Sequence, residues 1–412
     1  MIKGSILAGV AATVMLCASS AMAQMPPPLP AEALVDHGDA AKAEWLKANI
    51  VADGPVSGGL SFDFPAEFYQ QKLILLGESH GVAAPQVLDL ELLTHLNARI
   101  GLTDYLAEVD PVQGAMLNRY LESGDEAVLD RVFDYWSGSG AQWGNTAFEN
   151  KVRGIRALNL TLPAERRVRI LAVDAIQDWP LFAQWIGEQG GTVDAAALTA
   201  AAEDRANPEP LADLALAAVA SLPEQTPETT RLAGVLGDLR AKAGREATIF
   251  NTYSRAVTSG ELGDRPAYGL WGVYHVMQAG VNQTRPFAMR VKTSDLPAAR
   301  AMTSIIVLSL DSWVQIPSPT PQGVQRMRLN LFNIDGPYVM VQGAATLRAA
   351  SEPDRITLFN PRAAGSPLAG GDFMNIQSSV QRFTLDDPAA PIDSYVQYVG
   401  VFRGSDWAAP RE

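Results

Sequence analysis

The sequence has little cysteine, and what it has lies near the N terminus. Cys17 is the only cysteine among 412 residues. We predict below that this segment is removed, so the mature chain has no thiol for a disulfide, a thiolate nucleophile or a zinc site. An exported chain of this kind must be held by its hydrophobic core, and 47% of the residues are hydrophobic. The length is enough for one large domain with insertions or for two domains.

The sequence also lacks clusters of basic residues. Its 32 lysines and arginines are outnumbered by 45 aspartates and glutamates, for a formal net charge of -13. That balance argues against nucleic acid and an anionic membrane surface as partners. Beyond the N terminus, no apolar run has the length of a membrane helix. The small-molecule substrate that we expect as the partner is implied by a family resemblance described below.

The first residues have the pattern of a secretory signal peptide. Lys3 supplies a positive charge, residues 6–17 form a short apolar run, and small residues end at Ala23. We predict a signal peptide over residues 1–23, cleaved near Ala23, and hence a periplasmic or secreted protein. The proline-rich stretch that follows predicts an extended N-terminal segment over residues 24–58.

From residue 73 onward, short apolar runs alternate with longer amphipathic segments. The first four apolar runs are nearly continuous, which is typical of strands buried on both faces of a parallel sheet. Helices are predicted between them, for example over residues 86–100, with Gly101 as a stop signal. The alternation predicts an α/β fold with a mixed, largely parallel central sheet flanked by helices. The predicted strands cover residues 73–78, 105–110, 168–174, 268–275, 304–310, 338–343 and 395–402.

The segment between the third and fourth strands differs from the rest. Residues from about 180 to 246 are rich in alanine and leucine, are interrupted by proline, and contain no strand-like run. We predict a helical insertion there, which serves either as a lid over a site or as a structural subdomain. With this insertion, residues 59–412 form one α/β domain.

Titratable side chains end each of the first four predicted strands. In an open parallel sheet the carboxyl ends of the strands share one edge, and ligands bind there. We therefore expect residues that are far apart in the sequence to converge at this edge. The side chains concerned are Glu78 and His80, Glu108 and Asp110, Asp174, and His275.

These residue types suit the activation of water. A neutral imidazole such as His80 can accept a proton from water, and a carboxylate can orient the ring. A second histidine, His275, can stabilise an oxyanion or protonate a leaving group. Two histidines and two carboxylates also suit a divalent metal, and their spacing does not choose between these chemistries. Asp110 and Asp174 have a structural alternative, because aspartates at strand ends often cap the next helix.

The segment from Gly77 to Gly81 also fits the G-x-S-x-G pattern of a nucleophile elbow, with Ser79 as the nucleophile. Such an elbow usually follows several strands, but only about fifty mature residues precede this serine. No oxyanion segment of the HGGG type occurs among them. We therefore favour Glu78 and His80 over Ser79 as the reactive groups.

Several of these segments together resemble one known family. The run "LILLGESHGVAAPQVLDLELLTHLNARIGLTDYLAEVD" is similar to the start of the erythromycin esterase-like family, in which a strand enters a Gly-Glu-x-His-type motif and the next strand ends in glutamate. The segments "FENKVRGIRALNLTLPAERRVRILAVD", "REATIFN", "YGLWGVYH" and "YVQYVGVFRGS" are similar to later parts of the family, in order. The short Gly77-x-x-His80 spacing also resembles the wider superfamily of ChaN-like haem-binding lipoproteins and Tiki-type metal-dependent proteases.

The resemblance implies a hydrolase that acts on an ester, a lactone or a related acyl bond without a cofactor. The family's active site maps onto Glu78, His80, Glu108 and His275, with His80 activating water. The wider superfamily implies two alternatives that use the same edge. One is a protein that binds haem or a divalent metal, and the other is a metal-dependent peptidase. If a metal is bound in either alternative, these same four residues would be its ligands.

Overall fold

The computed structural model describes residues 27–320, 323–368, 375–380 and 382–411. The predicted signal peptide, residues 1–23, lies outside the described residues and stays a prediction. No described helix is both long enough and apolar enough to cross a membrane.

A nine-stranded sheet forms the centre of the molecule. Its strand order is β2-β1-β11-β13-β7-β3-β6-β4-β5, and the six strands from β13 to β5 run parallel to one another. The three strands at the other end, β2, β1 and β11, pair antiparallel. The described strands are β1 Ile50–Pro55, β2 Ser61–Phe62, β3 Leu73–Glu78, β4 Asp104–Ala107, β5 Arg169–Ala172, β6 Ala267–Gly272, β7 Met302–Leu310, β8 Val314–Thr320, β9 Gly323–Leu329, β10 Val339–Val341, β11 Arg355–Phe359, β12 Ile376–Ser378 and β13 Tyr398–Arg403.

Helices cover both faces of this sheet. The mixed, largely parallel α/β fold predicted from the sequence is thereby confirmed, and the insertion between β5 and β6 is helical. The described α-helices are α1 Ala40–Lys47, α2 Ala84–Ile100, α3 Pro111–Ser123, α4 Glu126–Ser139, α5 Thr146–Thr161, α6 Trp179–Glu188, α7 Ala195–Glu203, α8 Glu209–Ala220, α9 Pro227–Arg240, α10 Arg245–Thr258, α11 Phe287–Lys292 and α12 Ala344–Ala350.

Strand β3 shows why the layers form. Its side chains alternate between the two faces of the sheet, as those of any strand do. Ile74 and Leu76 pack in one hydrophobic core with α2 to α9, and Leu73 and Leu75 pack in a second core with α1 and α10 to α12. All four side chains are fully buried. Each contributes roughly 1.5–3 kcal/mol through the burial of its apolar surface.

The N-terminal segment differs from the prediction of an extended stretch over residues 24–58. It contains helix α1 and strand β1, and β1 is an integral strand of the central sheet. Helix α1 begins where the Asp39 side chain accepts a hydrogen bond from the Lys42 amide. Strand β1 is held by pairing with β11 and by an ion pair between Asp53 and Arg355.

Two small sheets lie outside the central one. Strands β8 and β9 form a hairpin, and β10 pairs with β12. The predicted strand over residues 338–343 is therefore present as β10 but does not join the central sheet. Its three residues pair antiparallel with β12 and not with a strand of the central sheet.

Candidate active site

The carboxyl ends of β3, β6, β4 and β5 lie side by side at one edge of the sheet. Glu78 ends β3, and its backbone carbonyl accepts a hydrogen bond from the Val273 amide just beyond β6 (2.9 Å). The predicted strand over residues 268–275 ends earlier, at Gly272, because the chain turns there. The His275 amide donates to the Gly272 carbonyl in that turn (3.0 Å).

Glu78 and His80 form a hydrogen-bonded pair. His80 Nδ1 lies 2.9 Å from Glu78 Oε1, and Gln86 Nε2 donates to the same oxygen at 3.5 Å. Burial raises the pKa of Glu78, although its hydrogen bond to His80 opposes the shift. For His80, burial lowers the pKa, but the hydrogen bond and the charge of Glu78 outweigh it and leave the pKa raised. The pair is therefore one coupled acid–base unit.

The second histidine lies between two carboxylates. His275 Nε2 is 3.2 Å from Glu108 Oε1, and its Nδ1 is 2.8 Å from Glu246 Oε1. Burial lowers the pKa of His275, but these two carboxylates outweigh it and raise the pKa to about 10. The pKa of Glu108 is shifted downward. Burial raises it, but the charges of His275 and Arg245 outweigh burial and hold it well below its usual range. A pKa of about 10 favours the charged form of His275 at neutral pH.

Arg245 joins this second pocket to the end of β5. Its guanidinium donates to Glu108 Oε1 at 2.6 Å and to Asp174 Oδ2 at 2.6 Å, and Nη1 lies 3.3 Å from His275 Nε2. Asp174 is fully buried and also accepts a hydrogen bond from the Ala175 amide. The arginine therefore fixes two strand-end carboxylates in one place.

The two histidine pockets meet at Gly272. A Cβ at this position would lie 3.1 Å from His80 Nε2 and 3.5 Å from His275 Cδ2. The Gly272 amide donates to Glu108 Oε2 at 2.9 Å. The absence of a side chain here lets both rings approach the end of β6.

Asp110 and Ser79 stand apart from these contacts. Asp110 caps helix α3 by accepting from the Val112 and Gln113 amides, which is the structural alternative considered for it. Its burial raises its pKa to about 6. The Ser79 side chain is exposed, and within the described chain no hydrogen bond joins it to a histidine. It has no base to activate it as a nucleophile.

An aromatic side chain borders the first pocket. The indole of Trp143 packs edge-on against the His80 ring, with the ring centroids 5.2 Å apart. The loop that carries it is held on both sides. Asn145 pairs with Pro410 of the C-terminal segment, and Gln142 Nε2 donates to the Gln315 carbonyl at the start of the β8–β9 hairpin (3.0 Å). The Trp143 side of the site is therefore rigidly supported.

The site does not fit a metal ion or a haem. Among the described residues, no group of three or more histidine, cysteine, aspartate or glutamate side chains is arranged to hold a metal. The positive charge of Arg245 lies directly on Glu108 and beside His275, where a cation would need those two ligands. A haem needs largely apolar walls, but charged groups line the second pocket.

Sequence reasoning did not single out Arg245 and Glu246 as site residues. Both lie in the first turn of α10, the helix that leads into β6. A helix that runs back along a parallel sheet begins at the same edge where the strands end. Charged residues in the first turn of such a helix are thus the signal that identifies this pair.

No protein-family model and no curated protein sequence matches the chain. Solved structures do match it. A Bacillus cereus protein matches with a TM-score of 0.60 and 12% identity, covering 90% of this chain and 99% of its own. An erythromycin esterase, the EreC mutant in its open conformation, matches with a TM-score of 0.57 and 12% identity over 82% of this chain and 92% of its own. A succinoglycan biosynthesis protein matches with a TM-score of 0.54 and 10% identity over 90% and 98%.

These likenesses identify the chain as a protein with an α/β fold. More particularly, the chain has the erythromycin esterase-like fold, as the sequence resemblance predicted. A haem-binding ChaN of Campylobacter jejuni also matches, but its TM-score of 0.29 is too low to support an argument.

Proposed function

We propose that this protein is an exported hydrolase that cleaves an ester, a lactone or a related acyl bond with water activated by His80 and Glu78. The fold that it shares with an erythromycin esterase supports a small-molecule substrate. The observation that carries the proposal is the contact between His80 Nδ1 and Glu78 Oε1 at 2.9 Å. When Glu78 is ionised it can only accept this hydrogen bond, so the proton then lies on Nδ1 of His80 and Nε2 is free as a base.

The proposed reaction needs one base and one fixed cation. His80 Nε2 takes a proton from water while the water oxygen bonds to the carbonyl carbon. The charge of His275 stabilises the negative charge that develops on the carbonyl oxygen. The bond to the leaving oxygen then breaks, and the protonated His80 returns its proton to that oxygen. Atoms and charge balance: one water is consumed, and an acid and an alcohol are released.

The test is turnover of a panel of esters and lactones by the purified protein, beside His80→Ala and Ser79→Ala. We expect the loss of the general base in His80→Ala to reduce kcat by roughly 10³-fold. The Ser79→Ala variant should retain wild-type activity. Circular dichroism establishes that both variants are folded.

Two results would overturn the proposal. An inactive Ser79→Ala variant beside an active His80→Ala variant would assign the reaction to a serine nucleophile. A wild-type protein that hydrolyses no member of the panel would exclude acyl hydrolysis of this class.

A further inference from the structure

A second ionic cluster lies close enough to Glu78 for its charges to act on that carboxyl, and the proposed reaction does not use it. Lys151 on α5 donates to Asp89 Oδ2 on α2 at 2.8 Å, and the Tyr105 hydroxyl on β4 donates to the same oxygen at 2.6 Å. Lys151 also lies 3.1 Å from the Tyr105 hydroxyl oxygen. The exposed fractions are 3% for Lys151, 0% for Asp89 and 3% for Tyr105.

Burial of such a cluster is costly. Removing an ammonium and a carboxylate from water carries a desolvation penalty that their attraction often fails to repay. A cluster of apolar side chains would fill the same space between α2, α5 and the sheet at lower cost. Fold stability alone therefore does not explain why charges occupy this position.

The cluster is connected to Glu78 through helix α2. Gln86 donates to Glu78 Oε1, and Asp89 follows Gln86 by three residues, so the two side chains share one face of the helix. Three oxygens at or beside that face are buried without a hydrogen-bond partner among the described residues: Glu78 Oε2, Gln86 Oε1 and Asp89 Oδ1. A layer of polar atoms thus runs from the pair at the site to the buried cluster.

We propose that Lys151, Asp89 and Tyr105 are positioning residues, and that their balance of opposite charges sets whether the Glu78–His80 pair holds a proton. The two charges act on Glu78 in opposite senses: Lys151 lowers its pKa and Asp89 raises it. In the intact cluster each charge therefore offsets part of the influence of the other. The groups that act on the pair from the surrounding elements are Gln86 and Asp89 on α2, Lys151 on α5, Tyr105 on β4, Glu108 at the end of β4, and His275 after β6. The buried Tyr268 on β6 interacts with Asp89 in turn.

The inference rests on the proposed role of His80 as the base, but it is tested by measuring the titration of His80 and not by measuring turnover. The apparent pKa of His80 is measured by NMR on protein labelled at its four histidines, with the His80 signal assigned from its absence in His80→Ala. Failure of the proposed function in the substrate panel therefore leaves this test valid.

Opposite shifts are expected from the two charge variants. In Lys151→Met the remaining carboxylate makes the potential at the pair more negative, so the apparent pKa of His80 rises by about one unit. In Asp89→Asn the remaining ammonium lowers it by about the same amount. The double variant carries neither charge and should return close to the wild-type value. A purely structural role does not produce shifts of opposite sign that cancel in the double variant.

Removing one partner of a buried ion pair can unfold a protein, so Tyr105→Phe provides a milder test. It removes one hydrogen bond to Asp89 and leaves both charges, and it should raise the apparent pKa of His80 by a few tenths of a unit. Tyr120→Phe is the matched control, because that hydroxyl contacts Glu126, away from the site. Single charge variants that shift the pKa in the same direction would overturn the proposal. So would a His80 titration unchanged in Tyr105→Phe.

Discussion

The two histidines of the candidate site follow similar glycine-containing segments but lie in different surroundings. The His80 side chain is 21% exposed and contacts one carboxylate, whereas the His275 side chain is 8% exposed and lies between two carboxylates beside an arginine. In the first arrangement the single carboxylate raises the pKa of His80 above its ordinary value against the effect of burial. The second makes a fixed cation. The same spacing of glycine and histidine therefore supports two different electrostatic roles, and the neighbouring elements decide which one results.

The difference also concerns stability. In the His275 pocket, Arg245 neutralises carboxylates that are almost completely buried. In the His80 pocket, the buried Glu78 has a raised pKa, so its ionisation is opposed by its surroundings. We expect changes in the His275 pocket to affect mainly folding and changes in the His80 pocket to affect mainly turnover.

The largest effect is expected from Arg245→Met. Two buried carboxylates, Asp174 and Glu108, would lose their cation, and breaking a buried pair in this way costs about 3–5 kcal/mol of unfolding free energy. Urea denaturation measures this cost. The control is Arg240→Met, which removes an exposed arginine (59% exposed) and should change the free energy by less than about 0.5 kcal/mol. Equal effects of the two substitutions would remove the distinction between the pockets.

The next effect is expected from Glu78→Gln. The amide keeps the shape of the side chain but cannot stabilise a proton on His80, so kcat should fall by roughly 10²-fold. The free energy of unfolding should change by less than about 1 kcal/mol, because a neutral group is easier to bury than a carboxylate. Kinetics and urea denaturation measure the two quantities, and the exposed Glu44→Gln is the control. A variant that keeps its kcat but unfolds readily would reverse the roles of the two pockets.

The pH dependence of kcat/KM compares both histidines in one experiment. His80 must be neutral to accept a proton, and its pKa is raised above 6.5. Activity should therefore increase about tenfold per pH unit in acid and level off only at a pH above 6.5. His275 must be charged, so activity should decline as the pH passes about 10. The rate without protein is subtracted at each pH, and circular dichroism verifies folding. An acidic limb below pH 6.5 would show that the contact with Glu78 does not raise the pKa of His80.

Much of the architecture could be predicted because the parallel strands are nearly continuous apolar runs. β3 and β7 are buried along their whole length, and burial on both faces leaves a strong signal. Strand β1 was missed because it is short, contains glycine and proline, and owes its position to pairing with β11, some three hundred residues further along the chain. Long-range pairing of this kind leaves no local pattern.

The part of the candidate site that lies at the ends of these parallel strands could also be predicted. Topology brings the ends of parallel strands together, so Glu78, His80 and Glu108 could be placed at one edge from the sequence alone. The different surroundings of the two histidines could not be predicted. They depend on Arg245 and Glu246, which begin a helix after a long helical insertion.

The smallest effect is expected from Gly272→Ala, at the point where the two pockets meet. The new Cβ would lie 3.1 Å from His80 Nε2, which is tighter than an ordinary contact, but 3.5 Å from His275 Cδ2, which is ordinary. We therefore expect His80 alone to be displaced, and kcat to fall several-fold with little change in stability. The control is Gly237→Ala in α9, where a Cβ meets no atom within 4 Å and should stabilise the helix by about 0.5–1 kcal/mol. An unchanged kcat in Gly272→Ala would mean that the Nε2 face of His80 is not the reactive one, and the proposed division between base and fixed cation would fail.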